Sequence, residues 1–166
     1  AALDPRERAR VVRDASAASP YTFLYDWSRA GEGVFRVAVD AGKEGVTRYV
    51  LNADGNPLEI DAPAGAKREV TRFEWDAGHV VKTGERSSTG RRLRYAYDAS
   101  GNLTLEEDQQ RPGAPVVRTE YAYDPRFNKL TSKEDKTGRS SWTLDPHTGD
   151  LVRAALSDGK LTTWAY

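Results

Sequence analysis

Two histidines, His79 and His147, are the only imidazoles in the 166 residues, and there is no cysteine. A zinc centre or a nucleophile and base pair needs several such groups converging on one point. Two imidazoles without a thiolate are too few. Both sit among turn formers, His79 after Ala77-Gly78 and His147 inside Asp145-Pro146-His147-Thr148-Gly149, so they read as solvated turn residues. The stretch Asn52-Ala53-Asp54-Gly55-Asn56 faintly suggests a calcium loop, but it lacks the full ligand set of an EF-hand and reads as a hairpin turn. Arg91, Arg92 and Arg94 cluster, yet 25 acidic residues cancel 25 basic ones, which argues against a surface that follows phosphates or an anionic membrane. Indole rings can stack on sugar faces or mark contact patches. Of Trp27, Trp75, Trp142 and Trp164, the last three fall on a repeat, which leaves Trp27 as the ligand-binding candidate, with carbohydrate as one ligand class. The expectation is a non-enzymatic chain with no cofactor and no metal.

These side chains must be carried by something, and a repeat supplies the carrier. Aromatic residues open successive segments at Tyr49, Phe73, Tyr95, Tyr121, Trp142 and Trp164, with spacings of 24, 22, 26, 21 and 22. A fixed period in this range implies stacked structural units. Two residues after each comes a second large apolar residue: Leu51, Trp75, Tyr97, Tyr123, Leu144 and Tyr166. An Asp or Asn follows, namely Asn52, Asp76, Asp98, Asp124 and Asp145. Residues at i and i+2 share one face of a strand, so Tyr95 and Tyr97 lie together while Ala96 points away, as Ala122 does between Tyr121 and Tyr123. Asp98 suits the first position of a type I turn, with its carboxylate accepting a backbone N–H two residues on. Gly101, next to Asn102, then provides the positive φ that closes a bulged hairpin, and Asn128 can replace it in the next copy. The register slips by a residue in places, with one fewer before Gly78 and one more before Gly149. A second set of turns, at Ala64-Gly65, Thr89-Gly90, Arg111-Pro112-Gly113, Thr137-Gly138 and Asp158-Gly159, closes each unit.

Each unit is therefore a β-hairpin. Residues 46 to 166 hold about five and a half units of ~22 residues. Residues 21 to 45 read as a degenerate first hairpin or cap, with Tyr21, Phe23 and Tyr25 alternating against Phe35, Val37 and Val39. Residues 1 to 20 have no sustained apolar stripe and read as a linker or a short irregular or helical segment. Leu, Ile, Val and Phe together make up only about 18%, so the aromatics must supply burial that aliphatics do not. The charge balance and aromatic content argue against disorder. No apolar run approaches the length of a membrane-spanning helix. The lack of any Met, and a final Trp164-Ala165-Tyr166 that opens a unit before its Asp, lead us to expect a piece of a longer chain. Its cut sheet edges invite self-association.

The string YAYDASGNLT from Tyr95 and its near copy YAYDPRFNKLT from Tyr121 resemble the YD repeats of the RHS (rearrangement hotspot) family, found in polymorphic toxins, Tc-toxin B and C components and teneurins. The resemblance covers residues 46 to 166 well and 21 to 45 weakly. It implies an all-β ribbon of tandem antiparallel hairpins that curls or spirals into a shell. It also implies a secreted or cell-surface location and, as partners, the rest of that shell and an enclosed C-terminal toxin. The family's aspartyl self-cleavage segment is not found, and Asp124-Pro125 and Asp145-Pro146 occupy ordinary turn positions. Geometry argues the same way: about thirteen strands ~4.8 Å apart would span about 60 Å, and open twisted sheets seldom pass ~10 strands without curling. A partial propeller would make alternate units alike, whereas the closest pair, at Tyr95 and Tyr121, is adjacent.

Overall fold

The computed structural model describes residues 10–12, 21–26 and 28–165. The described backbone is almost wholly β. Two compact units, residues 1–90 and 91–166, carry seven strands each among the described residues. The first unit contains β1 (Arg10–Val12), β2 (Tyr21–Asp26), β3 (Val34–Asp40), β4 (Val46–Asn52), β5 (Pro57–Ala64), β6 (Lys67–Trp75) and β7 (Lys82–Ser87). The second contains β8 (Arg92–Tyr97), β9 (Leu103–Gln109), β10 (Val117–Tyr123), β11 (Leu130–Asp135), β12 (Gly138–Leu144), β13 (Leu151–Ala155) and β14 (Leu161–Thr163). Within each unit every strand pairs with its sequence neighbour, and the first and last do not meet, so neither run closes on itself.

Two features depart from the local pattern. Arg10–Val12, within the segment read as linker or irregular helix, forms a strand held by pairing with β2, Val11 facing Thr22. A partner strand supplies the extended conformation that this stretch's own apolar pattern does not. The β2–β3 hairpin is closed by a 3-10 turn at Ala30–Glu32, and a second one at Gly42–Glu44 joins β3 to β4.

Alternation explains the two faces. On β8, Leu93, Tyr95 and Tyr97 are buried or half-buried, whereas Arg92, Arg94 and Ala96 are exposed. On β10 the same holds for Tyr121 and Tyr123 against Arg118, Glu120 and Ala122. The solvated face is laced by cross-strand ion pairs, including Arg72 with Glu59 at 2.9 Å and Arg68 with Asp61 at 2.7 Å. Exposed pairs of this kind add little stability each, but they keep a β surface soluble and in register. Among the described residues only Leu93 and Ala154, each 7% exposed, count as buried hydrophobic side chains. Half-buried Tyr, Phe and Trp therefore carry the burial that a conventional core would concentrate in a few aliphatics.

Candidate functional site: the ladder of Asp turns

The feature that recurs with the least variation is the turn after each aromatic strand. In all five copies the pairing register shifts one residue before the turn, at Val50/Leu51, Glu74/Trp75, Ala96/Tyr97, Ala122/Tyr123 and Thr143/Leu144. A bulge at the same step in every unit twists the hairpin there and aims its tip.

Each tip is organised by the side chain that opens it. Asp98 Oδ1 accepts the N–H of Ser100 at 2.9 Å and of Asn102 at 2.9 Å, and Oδ2 accepts the Asn102 side-chain amide at 3.0 Å. Across the loop the Gly101 N–H reaches the Asp98 carbonyl at 3.0 Å, with Gly101 at φ 83. Asn52 repeats the pattern with Asp54 and Asn56. Asn52 as a residue is 4% exposed, and its Nδ2 has no hydrogen-bond partner. Asp124 Oδ1 accepts from Arg126 and Phe127 at 2.8 and 2.9 Å, and Asp145 Oδ1 from His147 and Thr148 at 2.8 and 2.9 Å. Donated N–H groups stabilise the charged form. The Asn102 amide thus holds Asp98 below the ordinary carboxylate range, and the Thr148 and His147 amides do the same for Asp145. The Asp124 and Asp145 carboxylates are each committed to their own loop.

The left-handed residue lies three positions after the opening residue at Gly55, His79 and Gly101, and four positions after it at Asn128 and Gly149. In the loop after Asp76 it is His79, at φ 54, and not the neighbouring Gly78 that takes this conformation. The glycine in the sequence pointed to the wrong residue. Asp76 Oδ1 accepts from Val80 at 2.7 Å and Val81 at 3.0 Å, and the His79 N–H returns to the Asp76 carbonyl at 2.9 Å, so the left-handed position keeps the three-residue spacing of Gly55 and Gly101 while the glycine falls one residue early.

Successive tips touch. In the first unit His79 Nδ1 lies 2.9 Å from Asp54 Oδ2, and the Asn56 amide donates to the His79 carbonyl at 2.7 Å. In the second unit the Asn102 amide donates to Asn128 Oδ1. Arg126 then donates to the Pro146 carbonyl at 2.7 Å and Lys129 to the Gly149 carbonyl at 2.8 Å. His79 is thus a tip-to-tip contact, a role that no local sequence signal shows because its partner lies 25 residues earlier.

The aromatic ladder stands beside these tips. Tyr49 lies on β4, Phe73 and Trp75 on β6, Tyr95 and Tyr97 on β8, Tyr121 and Tyr123 on β10, and Trp142 on β12, all half-buried. Trp164 follows β14 and is 40% exposed. Trp75 Nε1 donates to the Pro57 carbonyl at 2.8 Å, tying the ladder to the start of the preceding hairpin's return strand. Burial pushes the Tyr121 phenol above its usual range. Trp27, the ligand-binding candidate, lies outside the described residues. No group of three or more His, Cys, Asp or Glu suited to a metal occurs among the described residues. No helix among them is long and apolar enough to cross a membrane. No protein-family model and no curated protein matches the chain.

Proposed function

We propose that this chain is wall rather than catalyst: a segment of an RHS/YD-repeat β-shell in a secreted bacterial protein, whose repeats enclose a C-terminal toxin or effector domain. The observation that carries the reading is the constancy of the Asp turn, with its bulge at the same step in five successive hairpins. A repeat held this regular over five hairpins suits a surface that must be continuous, since a gap in strand pairing would open the wall to solvent and protease.

The test begins with the parent gene, read outward in both directions, and continues with limited proteolysis of the full-length product. Many further YD units and a variable C-terminal domain that resists protease until the repeats are cut support the shell. Repeats that stop beside an adhesion or wall-anchoring segment, with no protected domain, replace it with an extracellular protein- or carbohydrate-binding module.

A further inference from the structure

We propose that Phe127 makes glycine obligatory at the left-handed position of the next turn, so that the β10–β11 tip selects which turn can stand beside it. The two tips share one frame. Asp124 N–H meets the Lys129 carbonyl at 2.8 Å and Asp145 N–H the Asp150 carbonyl at 2.7 Å, while Asn128 and Gly149 each donate back to the opening Asp carbonyl at 2.9 Å. They differ at the left-handed residue, Asn128 at φ 55 against Gly149 at φ 77. Backbone conformation does not by itself demand the difference, because Asn enters this region with little penalty.

The neighbour does demand it. A Cβ at Gly149 would lie 2.6 Å from Cγ and Cδ1 of Phe127 and 3.0 Å from Cδ2, inside the contact distance of carbon atoms. The Phe127 backbone N–H donates to Asp124 Oδ1 at 2.9 Å, which anchors the main chain that carries the ring, and the Arg126 guanidinium carbon stands 5.0 Å from the ring centroid. At Gly101 no atom lies within 4 Å of the corresponding Cβ position. The other two grips of the same tip, from Arg126 and Lys129, fall on main-chain carbonyls of Pro146 and Gly149, which any residue type presents. The clamp therefore reads its neighbour through one feature, the missing side chain at position 149. A tip with Phe at position 127 accepts a following six-residue turn of varied sequence provided its fifth residue is glycine. Neighbour order is then set by the tips as well as by strand pairing. This inference rests on the geometry of two turns and does not depend on the shell reading.

The experiment is a double-mutant cycle on the whole chain, read by urea unfolding: wild type, Gly149→Asn, Phe127→Ala and the double variant. Gly149→Asn is expected to lower the folded-to-unfolded ratio at least about tenfold in the wild-type background and no more than about threefold when Phe127 is Ala. Asn128→Gly, at the same place in the preceding tip, is expected to stay within about threefold of wild type. Equal losses from Gly149→Asn in both backgrounds overturn the proposal, because strain in the turn backbone alone then accounts for the glycine. If Gly149→Asn does not fold at all, the double variant decides: recovery of the folded signal supports the clamp, and failure beside a folded Phe127→Ala overturns it.

Discussion

The sharpest test of the turn chemistry is Gly101→Ala, because this position separates backbone strain from crowding. Gly101 holds φ 83 and closes its loop with an N–H bond of 3.0 Å to the Asp98 carbonyl. An L-residue in the left-handed region costs about 1–2 kcal/mol. Nothing lies within 4 Å of the would-be Cβ, so no packing penalty is added. Ala also restricts the unfolded chain more than Gly does, which returns roughly 0.4–1 kcal/mol. The net expectation is a loss of about 1 kcal/mol, a factor of ~5 in the folded-to-unfolded ratio. Gly101→Asn should lose less, as Asn tolerates the region, and Gly101→Val more, because β-branching adds to the strain. Urea unfolding followed by tryptophan fluorescence measures all three against wild type. The order Gly, Asn, Ala, Val from most to least stable is the expected result. An alanine variant as stable as wild type, or a loss beyond about 3 kcal/mol, refutes the reasoning, since neither agrees with an open left-handed position.

Three further outcomes follow from the same geometry. Trp75→Phe keeps the ring in the ladder but removes the indole N–H from the Pro57 carbonyl, so unfolding titrations should show a loss of about 1 kcal/mol. Leu93→Ala, at one of the two buried hydrophobic positions among the described residues, should cost about 2–4 kcal/mol and more than truncation of the exposed Leu24, compared in the same titration. Acid should weaken the fold through its turn carboxylates. Asp76, Asp98 and Asp145 are lowered mainly by turn N–H donors, and Asp135 falls from 3.8 to about 2, chiefly through the Thr137 hydroxyl. For a depressed carboxylate the stabilisation is present above its unfolded value and is lost as pH falls through its folded one. Thermal midpoints measured from pH 5 downward should therefore start to drop near 3.8 and continue toward about 2. A midpoint that stays flat across that window contradicts the bonding described for these turns.

What the sequence by itself determined is the hairpin unit. Aromatics at i and i+2, an Asp after them and a residue suited to positive φ beyond it are instructions between residues close in the chain. Strand alternation and turn stereochemistry act over just that range. The same local range explains the error at Gly78: a glycine marks where positive φ is easy, but the turn frame decides where it falls, at the residue whose N–H returns to the Asp76 carbonyl, and that residue is His79. Only the tertiary structure decided how one unit meets the next. The reach of Trp75 to Pro57 spans 18 residues, that of His79 to Asp54 spans 25, and Phe127 closes over Gly149 from the preceding tip. Those contacts depend on the twist and register that bring successive tips side by side, quantities that arise from paired strands and have no signature in any single segment.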